Sequence, residues 1–365
     1  MSTLVSRRLD RSRDRSPGAV ARRVRLRYVA DSAPGIRRQR HGKGFVYRGP
    51  DGSLVREART LARIRKLVIP PAWTDVWICP DPRGHLQATG RDAAGRKQYR
   101  YHDHWVQISS RSKYDHILDF ARVLPRLRRT VQRDLRRPRL DAQRVLAGLV
   151  RLMDLTLIRV GNDCYAQQNQ SYGLTTLRDR HVQFAGNGKA ILSFNGKAGQ
   201  PQRLTVQDRR LVSLIRKCHD LPGYRLFQYI GDAGQQCSIG SGEVNNYIRQ
   251  ATGCEELSAK DFRTWGGTVR AAIVLSQMGW PASARKRERN IVAAIKEVAR
   301  QLGNRPAACR KYYIHPAIFE AYRTGQMFDY LRGQVPDCRS PARTGLEPRE
   351  RAVKSLLKEK TRWRT

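Results

Sequence analysis

The chain of 365 residues carries 71 lysines and arginines against 31 aspartates and glutamates, which gives a formal net charge of +40. A basic excess of this size, spread over the whole length, favours a polyanionic partner. Apolar residues make up 40% of the sequence, enough for a sizeable core in two or three domains, so a wholly disordered basic chain is excluded.

The N-terminal part of the chain predicts a basic arm followed by a small β-rich domain. Residues 1–34 are rich in arginine and almost without apolar periodicity, which is typical of a flexible basic arm or of a merely solubilising tail. Over residues 35–115, short segments such as GFVYRGPDGSLV and DVWICPDPRGHLQATGRD are broken by glycine, proline and aspartate. This pattern predicts antiparallel strands, with one helix near residues 57–67.

Residues 116–335 predict a mainly helical domain. Helical spacing starts at Ile117, and the arginine-rich stretch ARVLPRLRRTVQRDLRRPRL fits either a solvated helix face or a helix lying along a phosphate backbone. The glycine-punctuated segment 180–206 alternates instead and predicts a three-stranded meander. Apolar residues recurring on one face of residues 289–302 predict a later helix.

The C-terminal residues 336–365 turn basic and polar again, and they predict a tail with at most a short helix near residues 352–358. The whole pattern predicts an α+β fold, in which a small β-rich N-terminal domain is followed by a mainly helical domain that contains the three-stranded meander.

The cysteines and the first residues favour a cytoplasmic protein. The seven cysteines form no C-x-x-C pair and no group with zinc-ligand spacing, so we expect reduced thiols. The stretch MSTLVSRRLDRSRDRS lacks the apolar centre of a secretion signal, and the longest apolar run, residues 271–275, is too short to span a bilayer. We therefore expect no membrane association.

No motif for a nucleotide or a metal is visible. The sequence contains neither a phosphate-binding G-x-x-x-x-G-K-[ST] loop nor a paired-acid cluster suited to magnesium. An enzyme that acts on a polyanion without such a cofactor must stabilise phosphoryl charge with its own cations, a task for which the planar, permanently charged guanidinium of arginine is well suited. We therefore expect no cofactor.

Four sequence blocks occur in the order and spacing of one enzyme family. They are IRVGNDCYAQQNQSYGLTTLRDRH (158–181), FNGKAGQ (194–200), KDFRTWGGT (260–268) and LGNRPAACRKYYIHP (302–316). Together they resemble the type IB DNA topoisomerases, in particular the compact poxvirus-like and bacterial branch. The resemblance implies a DNA-clamping domain over residues 35–115 and a catalytic domain over residues 116–335, and it leaves the two basic ends outside.

The resemblance also implies five catalytic residues. Arg159 and Arg263 correspond to the two arginines that grip the scissile phosphate, Lys197 to the general acid, and Tyr313 to the nucleophile. In the poxvirus enzymes a histidine contacts the phosphate at the position of Asn304. An asparagine amide can still donate a neutral hydrogen bond to the same phosphate oxygen.

Two adjacent tyrosines stand at the nucleophile position. Successive helical residues point about 100° apart, so only one of them can enter a single pocket. Tyr313 matches the family, whereas Tyr312 takes a place usually held by a small residue. A phenol with a pKa of about 10 needs nearby cations to act as a nucleophile at neutral pH. His315, just before a helix-starting proline, is expected to be a helix cap or a surface residue.

Further residues are implied to contact DNA. The segment GRKQYRYH resembles a block in which a glutamine and two tyrosines approach the major groove, and these correspond to Gln98, Tyr99 and Tyr101. Strand tyrosines packed on a hydrophobic face are the alternative interpretation. Tyr165 matches another active-site tyrosine. Lys260 stands where the related tyrosine recombinases usually have a histidine, which favours the topoisomerases.

The resemblance implies an enzyme that relaxes supercoiled double-stranded DNA by cutting one strand through a 3′-phosphotyrosyl intermediate and resealing it, without ATP or metal. We expect it to act as a monomer on DNA in the nucleoid of a bacterial cytoplasm. Two alternatives stay open: a tyrosine recombinase or integrase-like strand transferase, and a catalytically inactive basic DNA-packaging protein.

Overall fold

The computed structural model describes residues 17–42, 44–93, 95–186, 188–331 and 344–362. The chain divides into two compact units between Lys113 and Tyr114. The predicted α+β class is confirmed, because strands dominate the first unit and helices the second. No helix in these ranges is long and apolar enough to cross a membrane.

The first unit contains a five-stranded antiparallel sheet in the order β2-β1-β3-β4-β5. Its elements are α1 (Pro17–Arg23), β1 (Ile36–His41), β2 (Gly44–Arg48), α2 (Ala58–Lys66), β3 (Thr74–Ile78), β4 (Leu86–Arg91) and β5 (Lys97–Tyr101). The apolar face of α2 buries Ile64 in a cluster with Ile36, Val76 and Ile78 of the sheet. Alternation along the strands places these side chains on one face of the sheet, against the helix.

The predicted flexible arm does not extend to residue 34. Leu26 is buried, the backbone N–H of Arg27 donates to the carbonyl of Arg83 at 2.8 Å, and the indole N–H of Trp77 donates to the carbonyl of Ala33 at 2.9 Å. A few apolar residues among the arginines therefore fasten residues 17–34 to the first unit, too few to give a periodic pattern. The preceding residues lie outside the described part of the chain.

The second unit is mainly helical. Its helices, with the one that leads into it, are α3 (Asp103–Asp134), α4 (Ala142–Thr156), α5 (Asp163–Asn169), α6 (Arg209–His219), α7 (Ser241–Thr252), α8 (Ala259–Gln277), α9 (Ala284–Leu302), α10 (Pro306–Tyr312), α11 (Pro316–Thr324), α12 (Met327–Leu331) and α13 (Pro348–Arg362). The predicted meander consists of β6 (Val182–Ala185), β7 (Lys189–Asn195) and β8 (Pro201–Val206), and a separate hairpin pairs β9 (Gln228–Ile230) with β10 (Gln236–Ser238).

Helices α4 and α8 run through the core of this unit. Leu149, Leu152 and Met153 of α4 are fully buried, as the strongly apolar run of this helix predicts. A Cβ at Gly148 would lie 2.0 Å from the side chain of Leu214, so the glycine permits α4 and α6 to approach closely. This packing fixes the end of α4, from which the first candidate catalytic residue emerges.

The predicted C-terminal tail is wrong for the residues that the structure describes there. Helix α13 buries Val353, Leu356 and Leu357, which recur on one face of an otherwise charged helix. Its Glu350 is also buried and accepts hydrogen bonds from Arg128 at 2.7 Å and from the indole of Trp265 at 3.0 Å. The basic composition predicted a tail, whereas the structure has a helix there that packs against the core.

Candidate active site

Four of the predicted catalytic residues converge in the second unit although they lie far apart in sequence. Arg159 follows α4, Arg263 lies near the start of α8, Asn304 follows α9, and Tyr313 is the C-cap of α10. Each stands at or near a helix end, where a side chain can leave the core and still be held by the packing of its helix.

Arg159 and Asn304 are joined directly. Helix α4 ends at Thr156, and its C-cap Leu157 adopts the left-handed conformation with φ 57°, which turns the chain toward Arg159. One Nη of Arg159 donates to Asn304 Oδ1 and to the carbonyl of Gly303, the latter at 3.2 Å. Burial lowers the pKa of the Arg159 guanidinium, and the phenol of Tyr313 opposes that shift.

Arg263 is the most buried cation of the group, with 5% of its surface exposed. It donates to the carbonyls of Leu157 and Leu302, the latter at 2.9 Å. Burial, and then the charge of Arg159, lowers the pKa of Arg263 to about 10, so the guanidinium is still charged at neutral pH. These two carbonyls fix the side chain before any substrate is bound.

Tyr313 lies against this guanidinium. The guanidinium carbon of Arg263 is 5.0 Å from the centroid of the Tyr313 ring, within the range of a cation–π contact. Tyr312 is instead 43% exposed, with the ammonium of Lys311 5.4 Å from its ring centroid. The two adjacent tyrosines therefore occupy different environments, and Tyr313 is the one beside the cations.

Asn304 carries a buried donor with no hydrogen-bond partner among the described residues. Its Oδ1 accepts a hydrogen bond from Arg159, whereas its Nδ2 is buried and has no hydrogen-bond partner among the described residues. Leaving a buried amide unpaired costs about 1–3 kcal/mol. Such a donor, next to two guanidinium groups, fits a site that is completed by an anionic oxygen from a substrate.

Lys197 stands at the edge of the site. It begins the tight turn between β7 and β8, where Ala198 and Gly199 have φ of 61° and 71°. Its side chain is exposed, and no hydrogen bond or ion pair to a described residue holds it. The neighbouring Gly196 lines a small cleft together with Arg159 and Arg263, so the ammonium lies at the end of a hairpin that borders the arginines.

His315 does not belong to this group of donors. Its Nδ1 accepts a hydrogen bond from the backbone N–H of Ala317 at 3.0 Å, which makes it the N-cap of α11. The prediction of a cap is confirmed. Its ring also packs edge-on against Tyr114, with centroids 4.9 Å apart.

Two family models match the chain. "Eukaryotic DNA topoisomerase I, catalytic core" matches residues 102–335, and "Bacterial DNA topoisomerase IB, N-terminal domain" matches residues 44–92. The DNA topoisomerase 1B of Acanthamoeba polyphaga mimivirus is 34% identical over 301 residues, which cover 80% of this chain and 89% of the viral protein. The chain belongs to the type IB DNA topoisomerases. Vaccinia virus (strain Copenhagen) DNA topoisomerase 1B is 24% identical over 276 residues, 73% of this chain and 83% of its own length.

Membership of this family fixes the reaction that the protein catalyses. Type IB topoisomerases relax supercoiled DNA by transient cleavage of one strand through a 3′-phosphotyrosyl intermediate, without ATP or metal. The alternative of a tyrosine recombinase or integrase-like protein loses its support, because both matched domains and both relatives are topoisomerases.

The residues that the topoisomerase resemblance assigned to DNA contact lie in several places. Lys260 is exposed on the first turn of α8, and the side chain of Tyr165 lies outside the described part of the structure. In the first unit, Tyr99 and Tyr101 are exposed on one face of β5 with rings stacked at 5.9 Å. Gln98 points to the other face of the strand, and its amide donates to Asp92 at 2.9 Å.

Two residues that sequence reasoning missed hold the Tyr313 backbone in the topoisomerase. A Cβ at Gly267 would lie 2.7 Å from the carbonyl oxygen of Tyr313, and the fully buried hydroxyl of Thr268 accepts from the backbone N–H of His315 at 3.0 Å. Two successive glycines inside a helix, as in the Trp-Gly-Gly-Thr run, are the sequence signal for such a close approach.

Proposed function

We propose that this topoisomerase cleaves DNA through Tyr313, whose phenol oxygen attacks the scissile phosphorus. The bond to the 5′ oxygen breaks, the phenol proton is lost to solvent, and a 3′-phosphotyrosyl ester forms. The observation that carries this proposal is the contact between the Tyr313 ring and the buried Arg263 guanidinium. A cation in this position favours the phenolate form of the nucleophile.

Three groups are proposed to stabilise the transition state. Arg159 and Arg263 neutralise the charge that develops on the non-bridging oxygens, and the unpaired Nδ2 of Asn304 donates to one of them. Arg263 already has two carbonyl partners, so it approaches the phosphate in a fixed position. Pre-oriented donors of this kind require little reorganisation during the reaction.

Lys197 is proposed as the general acid that protonates the leaving 5′ oxygen. Support comes from its position on an exposed hairpin end next to the cleft that Arg159 and Arg263 line. A flexible ammonium can move to the leaving oxygen when DNA fills the site. Resealing is the reverse: the 5′ hydroxyl attacks the phosphotyrosine, Lys197 takes back its proton, and Tyr313 is released.

We further infer a monomeric protein that acts on double-stranded DNA in a bacterial cytoplasm. The charge of +40 supports the nucleic-acid partner, and the N-terminal family model that matches is the bacterial one. The two relatives described above are viral proteins. The proposed bacterial source and cellular location therefore rest on the match of residues 44–92 to the bacterial family model and on the arginine-rich composition.

A plasmid relaxation assay in EDTA without ATP tests the activity, and covalent protein–DNA adducts on a denaturing gel test the nucleophile. Tyr313→Phe is expected to abolish both relaxation and adduct while duplex binding is kept, and Tyr312→Phe is the matched control that should retain both. Loss of adduct in the Tyr312 variant alone would transfer the role to Tyr312. A protein that binds but never forms an adduct would support the inactive packaging alternative.

A further inference from the structure

The first unit carries a continuous row of aromatic side chains, made of Tyr99, Tyr101, His85 and Tyr28, which we call the aromatic row. The rings of Tyr99 and Tyr101 are stacked with centroids 5.9 Å apart, the Tyr101 and His85 centroids are 6.1 Å apart, and His85 stacks on Tyr28 at 4.2 Å. Two of these residues come from β5, whereas Tyr28 comes from the segment before β1.

The tyrosines of the aromatic row are open to solvent. Tyr28 is 57% exposed, Tyr99 46% and Tyr101 40%. Burial, and then the neighbouring phenols of Tyr99 and Tyr28, raise the pKa of Tyr101. Tyrosine combines apolar area with a polar tip, and a contiguous exposed group of such rings is typical of a binding surface.

Tyr28 is held in place although it is exposed. The imidazole beneath it is 5% exposed and accepts a hydrogen bond at Nδ1 from the backbone N–H of Val29 at 3.1 Å. Burial lowers the pKa of His85, so this ring stays neutral at physiological pH and can keep accepting. Because Arg27 also bonds to the backbone of Arg83, the exposed phenol is oriented before any ligand arrives.

The cations beside the aromatic row are already paired. Lys97 lies over the ring of Tyr99 at 5.8 Å, but its ammonium is 2.5 Å from Asp31. Arg27 forms an ion pair with Asp81 at 3.2 Å. Asp81 also lies 3.9 Å from Arg83, so Asp31 and Asp81 offset part of the positive charge here. The aromatic row itself offers a ligand ring area and hydroxyl groups.

We propose that Tyr28 extends the DNA-binding face of the first unit, so that the aromatic row contacts duplex DNA along sugars and phosphate oxygens through ring and hydroxyl groups. The proposal rests on the proposed function of the protein as a DNA topoisomerase, and on the DNA-clamping role that the family resemblance implies for residues 35–115. Tyr28 precedes residues 44–92, which match the bacterial N-terminal domain, so the family match does not assign it. The excess charge elsewhere on the chain brings the duplex in, and the aromatic row adds uncharged contacts.

This proposal gives a signature in the salt dependence of binding. Phosphate neutralisation by lysine and arginine sets the slope of log affinity against log salt, and an uncharged contact changes affinity without changing the slope. We expect Tyr28→Ala to weaken duplex binding about three- to tenfold at every salt concentration with an unchanged slope. Tyr28→Phe, which keeps the ring, should lose less.

The experiment is fluorescence anisotropy with a labelled duplex over a salt series, for the full chain and its variants. Leu54→Ala is the matched control, because Leu54 is an apolar residue of the same unit that is 41% exposed and lies outside the aromatic row. The duplex affinity of this variant should equal that of the parent protein. Thermal unfolding of each variant shows whether residues 17–34 are still packed.

Three results would overturn the proposal: wild-type affinity in Tyr28→Ala, a flattened salt slope in that variant, or a loss of affinity that follows a lowered unfolding temperature. Unchanged duplex binding combined with lost binding of a protein partner would assign the aromatic row to protein recognition instead. Failure of the parent protein to form a covalent adduct would refute the proposed function, and the affinity measurement would be unaffected by it.

Discussion

The hydroxyl of Thr268 lies 3.4 Å from the carbonyl oxygen of Tyr313 and accepts a hydrogen bond from the backbone N–H of His315 at 3.0 Å. The Thr268 hydroxyl therefore contacts the backbone on both sides of Ile314, the residue that follows the candidate nucleophile Tyr313. Thr268 is fully buried and stands five positions after Arg263 on α8. The same helix thus sets the position of the Arg263 guanidinium and of the Tyr313 backbone.

Thr268→Val is expected to slow single-turnover cleavage by about 10- to 100-fold, because small displacements of a reacting group have effects of this size. The nearly isosteric change removes the hydrogen bond that the N–H of His315 donates to Thr268, and we expect this to loosen the Tyr313 segment. Thr268→Ser should retain most activity, and duplex affinity should be unchanged in both. Normal cleavage by the valine variant would show that Gly267 and the helix packing alone hold the nucleophile.

Lys197→Ala is expected to slow cleavage by about 100-fold or more, the usual contribution of a general acid. A substrate in which sulfur replaces the bridging 5′ oxygen has a leaving group that needs no proton, so the variant should cleave it at nearly the parent rate. The same substrate should not rescue Thr268→Val, whose defect lies in the nucleophile. An equally slow Lys197 variant on the sulfur substrate would remove the general-acid assignment.

Asn304→Ala should slow cleavage by about 10- to 1000-fold, the order expected for loss of one transition-state donor. The change also removes the hydrogen-bond partner of Arg159, so part of the effect comes from that guanidinium. Asn304→His should keep substantial activity, and His315→Ala should lose little because that ring caps α11. A severe defect in the His315 variant beside a near-normal Asn304→Ala would exchange their roles.

Glu350→Ala is expected to destabilise the protein by about 3–5 kcal/mol, because it leaves a buried guanidinium without one of its partners. Arg128 bonds both Asp154 and Glu350 with nearly no exposed surface. Urea unfolding measures the effect, and Glu297→Ala is the control, since its pair with the exposed Arg300 should contribute about 0–1 kcal/mol. Equal midpoints for the two variants would contradict a structural role for α13.

Local patterns predicted strands β2 to β8 and several of the helices, because alternation, helical periodicity and turn residues act between neighbours in sequence. The residues of the candidate site came instead from the family resemblance. The motif blocks named Arg159, Arg263, Asn304 and Tyr313, which the structure brings together. Their individual catalytic roles stay predictions, as do those of Lys197 and of the residues proposed to contact DNA.

Composition was misleading where a few long-range contacts outweigh many local charges. The stretch around Arg128 suggested a solvated face or a phosphate-binding helix, yet Arg128 itself is buried between Asp154 and Glu350, which lie 26 and 222 positions away. Residues 17–34 and α13 are likewise basic in sequence and packed in the structure.

The sequence by itself determined which side chains are the candidates for phosphoryl transfer in this topoisomerase, since residue type and motif spacing are properties of the chain. Only the tertiary structure decided that Arg159 meets Asn304 across 145 positions, that Thr268 holds the Tyr313 segment, and that Tyr28 stands in a row with Tyr101. Propensity and periodicity depend on neighbours along the chain, whereas the burial and pairing of a polar group depend on whichever distant residues the packed core places beside it.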